Sequence, residues 1–132
     1  MPAWGEKSGG LRAEEIDQVI TYLRELSGVG AKVEATPARW VSADAALGKQ
    51  LFGVSCGGCH GKQGQGGEGP ALNNRVLLAN ATDTYLVETI SRGRRGTAME
   101  GFLQPSTVRP TLTRAEMESI VTFIRSWEGG KS

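Results

Sequence analysis

The sequence contains a single histidine, two cysteines and few aromatic residues; Phe, Trp and Tyr make up only 6% of it. A core assembled from its own side chains would be modest. No run approaches the roughly 18–20 apolar residues that cross a bilayer, so no transmembrane segment is expected. No basic start followed by an apolar stretch marks a signal peptide. If the protein is exported, a leader or upstream part is expected outside this sequence. Neither sign of charge dominates, with 15 Lys and Arg against 14 Asp and Glu. That balance argues against nucleic acid, or an acidic membrane surface, as the main partner. Strand-like alternation of useful length is missing too, which leaves an all-α architecture. At 132 residues there is room for one domain, or for a small domain with an appendage.

What is present is helical pattern and glycine. Leu11, Ile16, Val19, Ile20, Leu23 and Leu26 form one stripe over Leu11–Leu26. Residues 28–41 have no period and read as a linker. Ser42 is an expected cap for a second helix through about Val54, on which Gly48 and Phe52 share a face. A glycine in mid-helix is tolerable if another helix approaches the backbone there. Residues 56–81 are glycine-rich and read as irregular. Thr82 or Asp83 is expected to cap a third helix that Gly93 stops. A loop follows from Arg94 to Pro110, and a last helix carries Met117, Ile120, Val121, Ile124 and Trp127 on one stripe.

The first and last helices are related. Leu11–Leu26 aligns without a gap on Leu112–Trp127, and Leu11, Glu15, Thr21 and Arg24 recur as Leu112, Glu116, Thr122 and Arg125. Any two amphipathic helices share a period, so this alone is weak. Each helix, however, also follows a Met-x-x-aromatic stretch, MPAW at 1–4 and MEGF at 99–102.

The chemistry is concentrated in CGGCH, Cys56 to His60, which holds both cysteines and the histidine. Two thiols separated by two residues match the two vinyl groups of one haem, and the adjacent imidazole then falls under the iron as proximal ligand. A thioredoxin-like C-x-x-C would open a helix in a strand–helix–strand unit, and no such strand is visible. Zinc would want four ligands, where three are crowded into five residues. A structural disulfide leaves the histidine unexplained. One covalent haem c is therefore the expected cofactor, and it also supplies the large apolar body that so few aromatics cannot.

With His60 used, methionine sulfur is the natural sixth ligand. Met117 sits on the stripe of the last helix and reads as core. Met1 lies far upstream, across the linker, and is not expected to reach this iron. Met99 lies in a glycine-flanked loop between two helices and is the expected ligand.

GKQLFGVSCGGCHG, then GPAL, then a helix ending ISRGRRGTAM, then an amphipathic last helix, resembles a class I c-type cytochrome over about Ala43–Trp127. The resemblance implies a small helical fold wrapped around one haem, with its first and last helices crossing where Gly48 and Phe52 would meet Ile120 and Phe123. It also implies that the Pro70 carbonyl accepts a hydrogen bond from the proximal imidazole. Asn73, Asn74 and Arg75 fall near the haem without a rank among them. Glu100 departs from the pattern, since this branch often has proline after the methionine, and its charge is expected to loosen the loop. Arg92, Arg94 and Arg95 read either as a solvated helix end or as a charge for a haem propionate or an acidic redox partner.

By the same resemblance, residues 1–27 look like the back half of a preceding cytochrome domain, with Met1 at its axial position. The expected organisation is that segment, the linker at 28–41, a haem domain at 42–128 and a tail at 129–132. The chain then belongs to a dihaem protein or, alternatively, to a single-haem protein with an added N-terminal helix. Two filled axial positions leave no room for substrate, so the expected function is one-electron transfer in a respiratory, photosynthetic or dehydrogenase chain. Its expected partners are redox proteins or neighbouring subunits of a membrane complex, outside the cytoplasm and facing the periplasm. The rival is a peroxidase or small-ligand sensor in which Met99 leaves the iron.

Overall fold

The computed structural model describes residues 10–26 and 38–129. The expectations for Met1–Trp4, for 28–37 within the linker and for the last three residues lie outside them. Two compact units divide the chain, at 1–36 and 37–132. Within the first, α1 spans Ala13–Leu26, with Glu14 and Glu15 in its first turn and Arg24 in its last, as the helix dipole favours. None of its residues is buried, and Val19, Ile20, Tyr22, Leu23 and Leu26 are all exposed.

The second unit holds α2 (Ala45–Ser55), α3 (Gly57–His60), α4 (Arg75–Asn80), α5 (Asp83–Arg92) and α6 (Arg114–Arg125). No strand forms among the described residues. Asp44, rather than Ser42, caps α2, because its carboxylate accepts from both Ala46 N at 2.8 Å and Leu47 N at 3.1 Å. Thr82 caps α5 and Gly93 follows its end. Thr113 and Glu116 form a reciprocal capping box on α6. The stretch read as irregular, 56–81, contains two short helices. Four and six residues are too few for a hydrophobic period to declare itself.

α2 crosses α6 at Gly48. A Cβ at that position would overlap the Ser119 carbonyl of α6, so only glycine lets the two backbones meet. One turn on, Phe52 packs against Phe123 and Trp127, with ring centroids 5.5 and 5.3 Å away and Phe123 and Trp127 themselves 4.9 Å apart. Met117, Ile120, Val121 and Ile124 of α6 are buried with Leu86, Val87 and Ile90 of α5 and with Leu78 of α4. Met117 is thus core, 1% exposed.

A polar network ties the start of this unit to its end. Asp83 Oδ2 accepts from Trp40 N at 2.7 Å and Val41 N at 2.8 Å, and Oδ1 accepts from Arg125 Nε at 2.8 Å. Residues 38–41, inside the stretch read as linker, are therefore pinned to α5. The Arg125 guanidinium also donates to the carbonyls of Leu78 and Ala81, and Arg39 reaches the same two carbonyls and Glu128. The open C-terminal end of α4 is satisfied by two arginines rather than by a glycine cap.

Burial would raise the Asp83 carboxyl, but the Val41 N–H, the Arg125 guanidinium and the Trp40 N–H outweigh it and hold the carboxyl below its ordinary value. A depressed carboxyl contributes stability that is complete above the unfolded value of about 3.9 and is lost as pH falls through the lower folded value. Asp83→Asn should cost about 1.5–3 kcal/mol near pH 7, because it takes the 2.8 Å carboxylate from a guanidinium that keeps its bonds to the Leu78 and Ala81 carbonyls, and should flatten the acid limb of stability. Thermal denaturation at pH 7 and below pH 4 checks both. Gly48→Val should force α2 off α6, cost about 1–3 kcal/mol or more and lower the melting temperature by several degrees.

Candidate functional site

The site is built on a single helical turn. Cys56 closes α2 and opens α3. The amides of Cys59 and His60 both donate to the Cys56 carbonyl, at 3.2 and 3.0 Å. Residues three and four apart share a helix face, so this turn presents both thiols and the imidazole on one side. Neither cysteine is in a disulfide; Cys56 is half-buried and Cys59 exposed.

The glycine-rich loop after this turn folds back on it. Gly66 N donates to the His60 carbonyl at 2.7 Å and Gly69 N to the Cys59 carbonyl at 2.9 Å. Leu72 N and Asn73 N both donate to the Gly64 carbonyl, and the Asn73 side chain donates to Gln63. The result is that the Pro70 carbonyl lies 2.9 Å from His60 Nδ1. A carbonyl only accepts, so the proton sits on Nδ1 and Nε2 keeps its lone pair for a metal. Gly69 makes this approach possible. A Cβ there would stand 2.8 Å from His60 Cε1 and 2.9 Å from Nδ1.

Burial, and then the neighbouring Cys59, push the Cys56 thiol up to about 12. A redox-active C-x-x-C needs the opposite, a thiolate near neutral pH. No cluster of three or more His, Cys, Asp or Glu suited to a metal ion occurs among the described residues. Two thiols and one imidazole on one turn, with the imidazole tautomer set by a carbonyl, fit a porphyrin held by two thioethers and a proximal nitrogen.

Met99 belongs to a different stretch, the loop between α5 and α6. It is half-buried; its carbonyl accepts from Arg94 N at 2.7 Å and its amide donates to Thr97 Oγ1 at 3.2 Å. Gly93, at φ 70°, turns the chain out of α5, and a bridge joins it to Glu100. Phe102 N and Leu103 N donate to the carbonyls of Ile90 and Ser91, which lays 102–103 along the end of α5. Glu100, read as a loosening charge, pairs with Arg109 at 3.5 Å.

Of the remaining candidates, Asn74 and Arg92 have structural work. Asn74 caps α4, accepting from Val76 N and Leu77 N. Arg92 pairs with Glu88 at 3.0 Å, while Arg94 and Arg95 have exposed side chains. Arg109 and the Asp83–Arg125–Arg39 group were not singled out from the sequence. In the sequence Asp83 reads only as a candidate cap of α5, and Arg125 only as the recurrence of Arg24.

The model of the Cytochrome c family matches residues 45–128. The cbb3-type cytochrome c oxidase subunit FixP of Bradyrhizobium diazoefficiens is 36% identical over 136 residues, which cover 99% of this chain and 41% of that protein. The subunit CcoP of Rhodobacter capsulatus is 28% identical over 124 residues, 92% of this chain and 39% of that protein. The chain thus spans about two fifths of the length of these curated relatives. Among solved structures, cytochrome cL from Methylophaga aminisulfidivorans superposes with a TM-score of 0.51 at 28% identity, covering 94% of this chain and 71% of that one.

Proposed function

The chain belongs to the cytochrome c family and carries haem c, and from that premise we propose that it passes single electrons with His60 and Met99 as axial ligands and thioethers at Cys56 and Cys59. The observation that carries this reading is the 2.9 Å contact between His60 Nδ1 and the Pro70 carbonyl, made beside two thiols of the same helical turn. When bound, the haem iron supplies a one-electron couple. The residues do the rest. Cys56 and Cys59 hold the cofactor against dissociation. Pro70 orients the imidazole and, by accepting its N–H, makes Nε2 a stronger donor. Met99, on its braced loop, offers a thioether, which raises the potential relative to a second imidazole and closes the iron to substrate.

The assembly proposed is an electron-transfer segment of a membrane oxidase, facing the periplasm, with neighbouring subunits as its partners. Relatives named as cbb3-type oxidase subunits support it. No helix among the described residues is long and apolar enough to cross a membrane. We also propose that residues 1–27 complete a preceding haem domain, whose core would take up the exposed stripe of α1. The haem domain is read as 42–128, preceded by a linker.

Met99→Ala should abolish the red-region charge-transfer band of sulfur-ligated ferric haem and admit carbon monoxide on reduction. An unchanged spectrum would remove Met99 as ligand; carbon monoxide uptake by the unaltered protein would favour the sensor or peroxidase reading. Gly69→Ala should wedge the imidazole from the Pro70 carbonyl and weaken that hydrogen bond. Only the part of its ~1 kcal/mol that differs between ferric and ferrous haem moves the potential, so the shift should be upward and no more than about 40 mV, readable by redox titration.

A further inference from the structure

The Met99 loop has a second brace besides α5, and one side chain provides it. Arg109 reaches back over the three residues that follow the methionine. Its Nε lies 3.5 Å from Glu100 Oε2, its Nη2 donates to the Gly101 carbonyl, and its Cζ stands 4.7 Å from the centroid of the Phe102 ring. The side chain is only 17% exposed. The same three residues are held from behind by α5. Gly101 lies so close to the backbone of Ser91 and Arg92 that a Cβ would clash with it, and Phe102 N donates to the Ile90 carbonyl at 2.9 Å.

Arg109 is a poor choice for stability alone. Its Nε and Nη1 are buried without a hydrogen bond, the Glu100 contact being a long ion pair, and burying unsatisfied donors is unfavourable. An apolar side chain would fill the same space without that penalty. What arginine adds is a planar cation that can bond a carbonyl and lie over an aromatic ring at once. Glu100 stands where the resemblance led us to expect proline, so the stiffness a ring would have given is supplied here by a contact from nine residues downstream.

We infer that Arg109 is a positioning residue that clamps Glu100–Phe102 and so holds the Met99 thioether on the iron. The inference rests on the proposed ligation by Met99. Exogenous imidazole must displace that thioether, so its affinity for the ferric holoprotein reads the strength of the clamp.

The test is an imidazole titration of holoproteins carrying Arg109→Leu, Arg109→Lys and Glu100→Gln, with helical circular dichroism as the check on folding. Arg109→Leu should bind imidazole about tenfold more tightly, equivalent to 1.4 kcal/mol. Arg109→Lys keeps the charge but loses the planar fork, and should lie nearer Arg109→Leu than the parent. Glu100→Gln should change affinity less than about threefold, since its contact is long and its carboxylate exposed. A folded Arg109→Leu with parental affinity overturns the inference; if that variant does not fold, parental affinity in Arg109→Lys does so. In a Met99→Ala background, Arg109→Leu should have no effect, and a persisting tenfold gain also overturns it. If Met99→Ala alone leaves imidazole affinity and the red-region band unchanged, it is the ligand assignment that fails.

Discussion

The hydrogen bond from His60 Nδ1 to the Pro70 carbonyl is the constraint on which the site depends. Without it the imidazole could present either nitrogen and rotate about its bonds. With it, Nε2 faces away from the loop as a lone pair at a fixed orientation. The bond needs the loop to return within contact of the helical turn, and that return needs Gly69 against the ring and the Gly64 carbonyl as an anchor for Leu72 and Asn73. The glycines of 61–69 therefore serve the proximal side of the site more than flexibility. The α2–α6 crossing at Gly48 stands behind this arrangement, because Cys56 is the last turn's continuation of α2 and moves with it.

The stretch that carries the proposed second ligand follows a different logic. Cys56, Cys59 and His60 are positioned by one local turn, whereas Met99 is positioned by contacts that are distant in sequence. α5 carbonyls hold the loop through its amides, and Arg109 holds it through a carbonyl. A local ligand set is robust to loop changes; a distal ligand on a braced loop can be tuned by the bracing. The exposed stripe of α1 raises a separate point of organisation. The proposed organisation gives that face to a preceding haem domain, and the chain spans about two fifths of FixP and CcoP.

How much of this was legible in the sequence depends on how local the information is. The C-x-x-C-H turn could be read directly because spacings of three and four residues place those side chains on one face whatever else the fold does. Gly48 and Phe52 could be read as a contact face for the same reason, and Met117 as core from its stripe. The short helices α3 and α4 could not, since fewer than two turns carry no period. Asp44 displaced Ser42 as cap because both are competent and only the backbone decides. The Asp83 network and Arg109 were invisible because the partners that define them lie 7 to 89 residues apart. An arginine in a polar loop looks solvated until the fold closes over it.

The account turns on one polypeptide turn that holds a porphyrin covalently and presents His60 to its iron. Intact-mass and tryptic-peptide spectrometry of the denatured holoprotein measures this most directly. The account predicts that one haem stays bound to the peptide containing Cys56–His60 after unfolding. A polypeptide at its bare mass, with the haem released by denaturation, would contradict it.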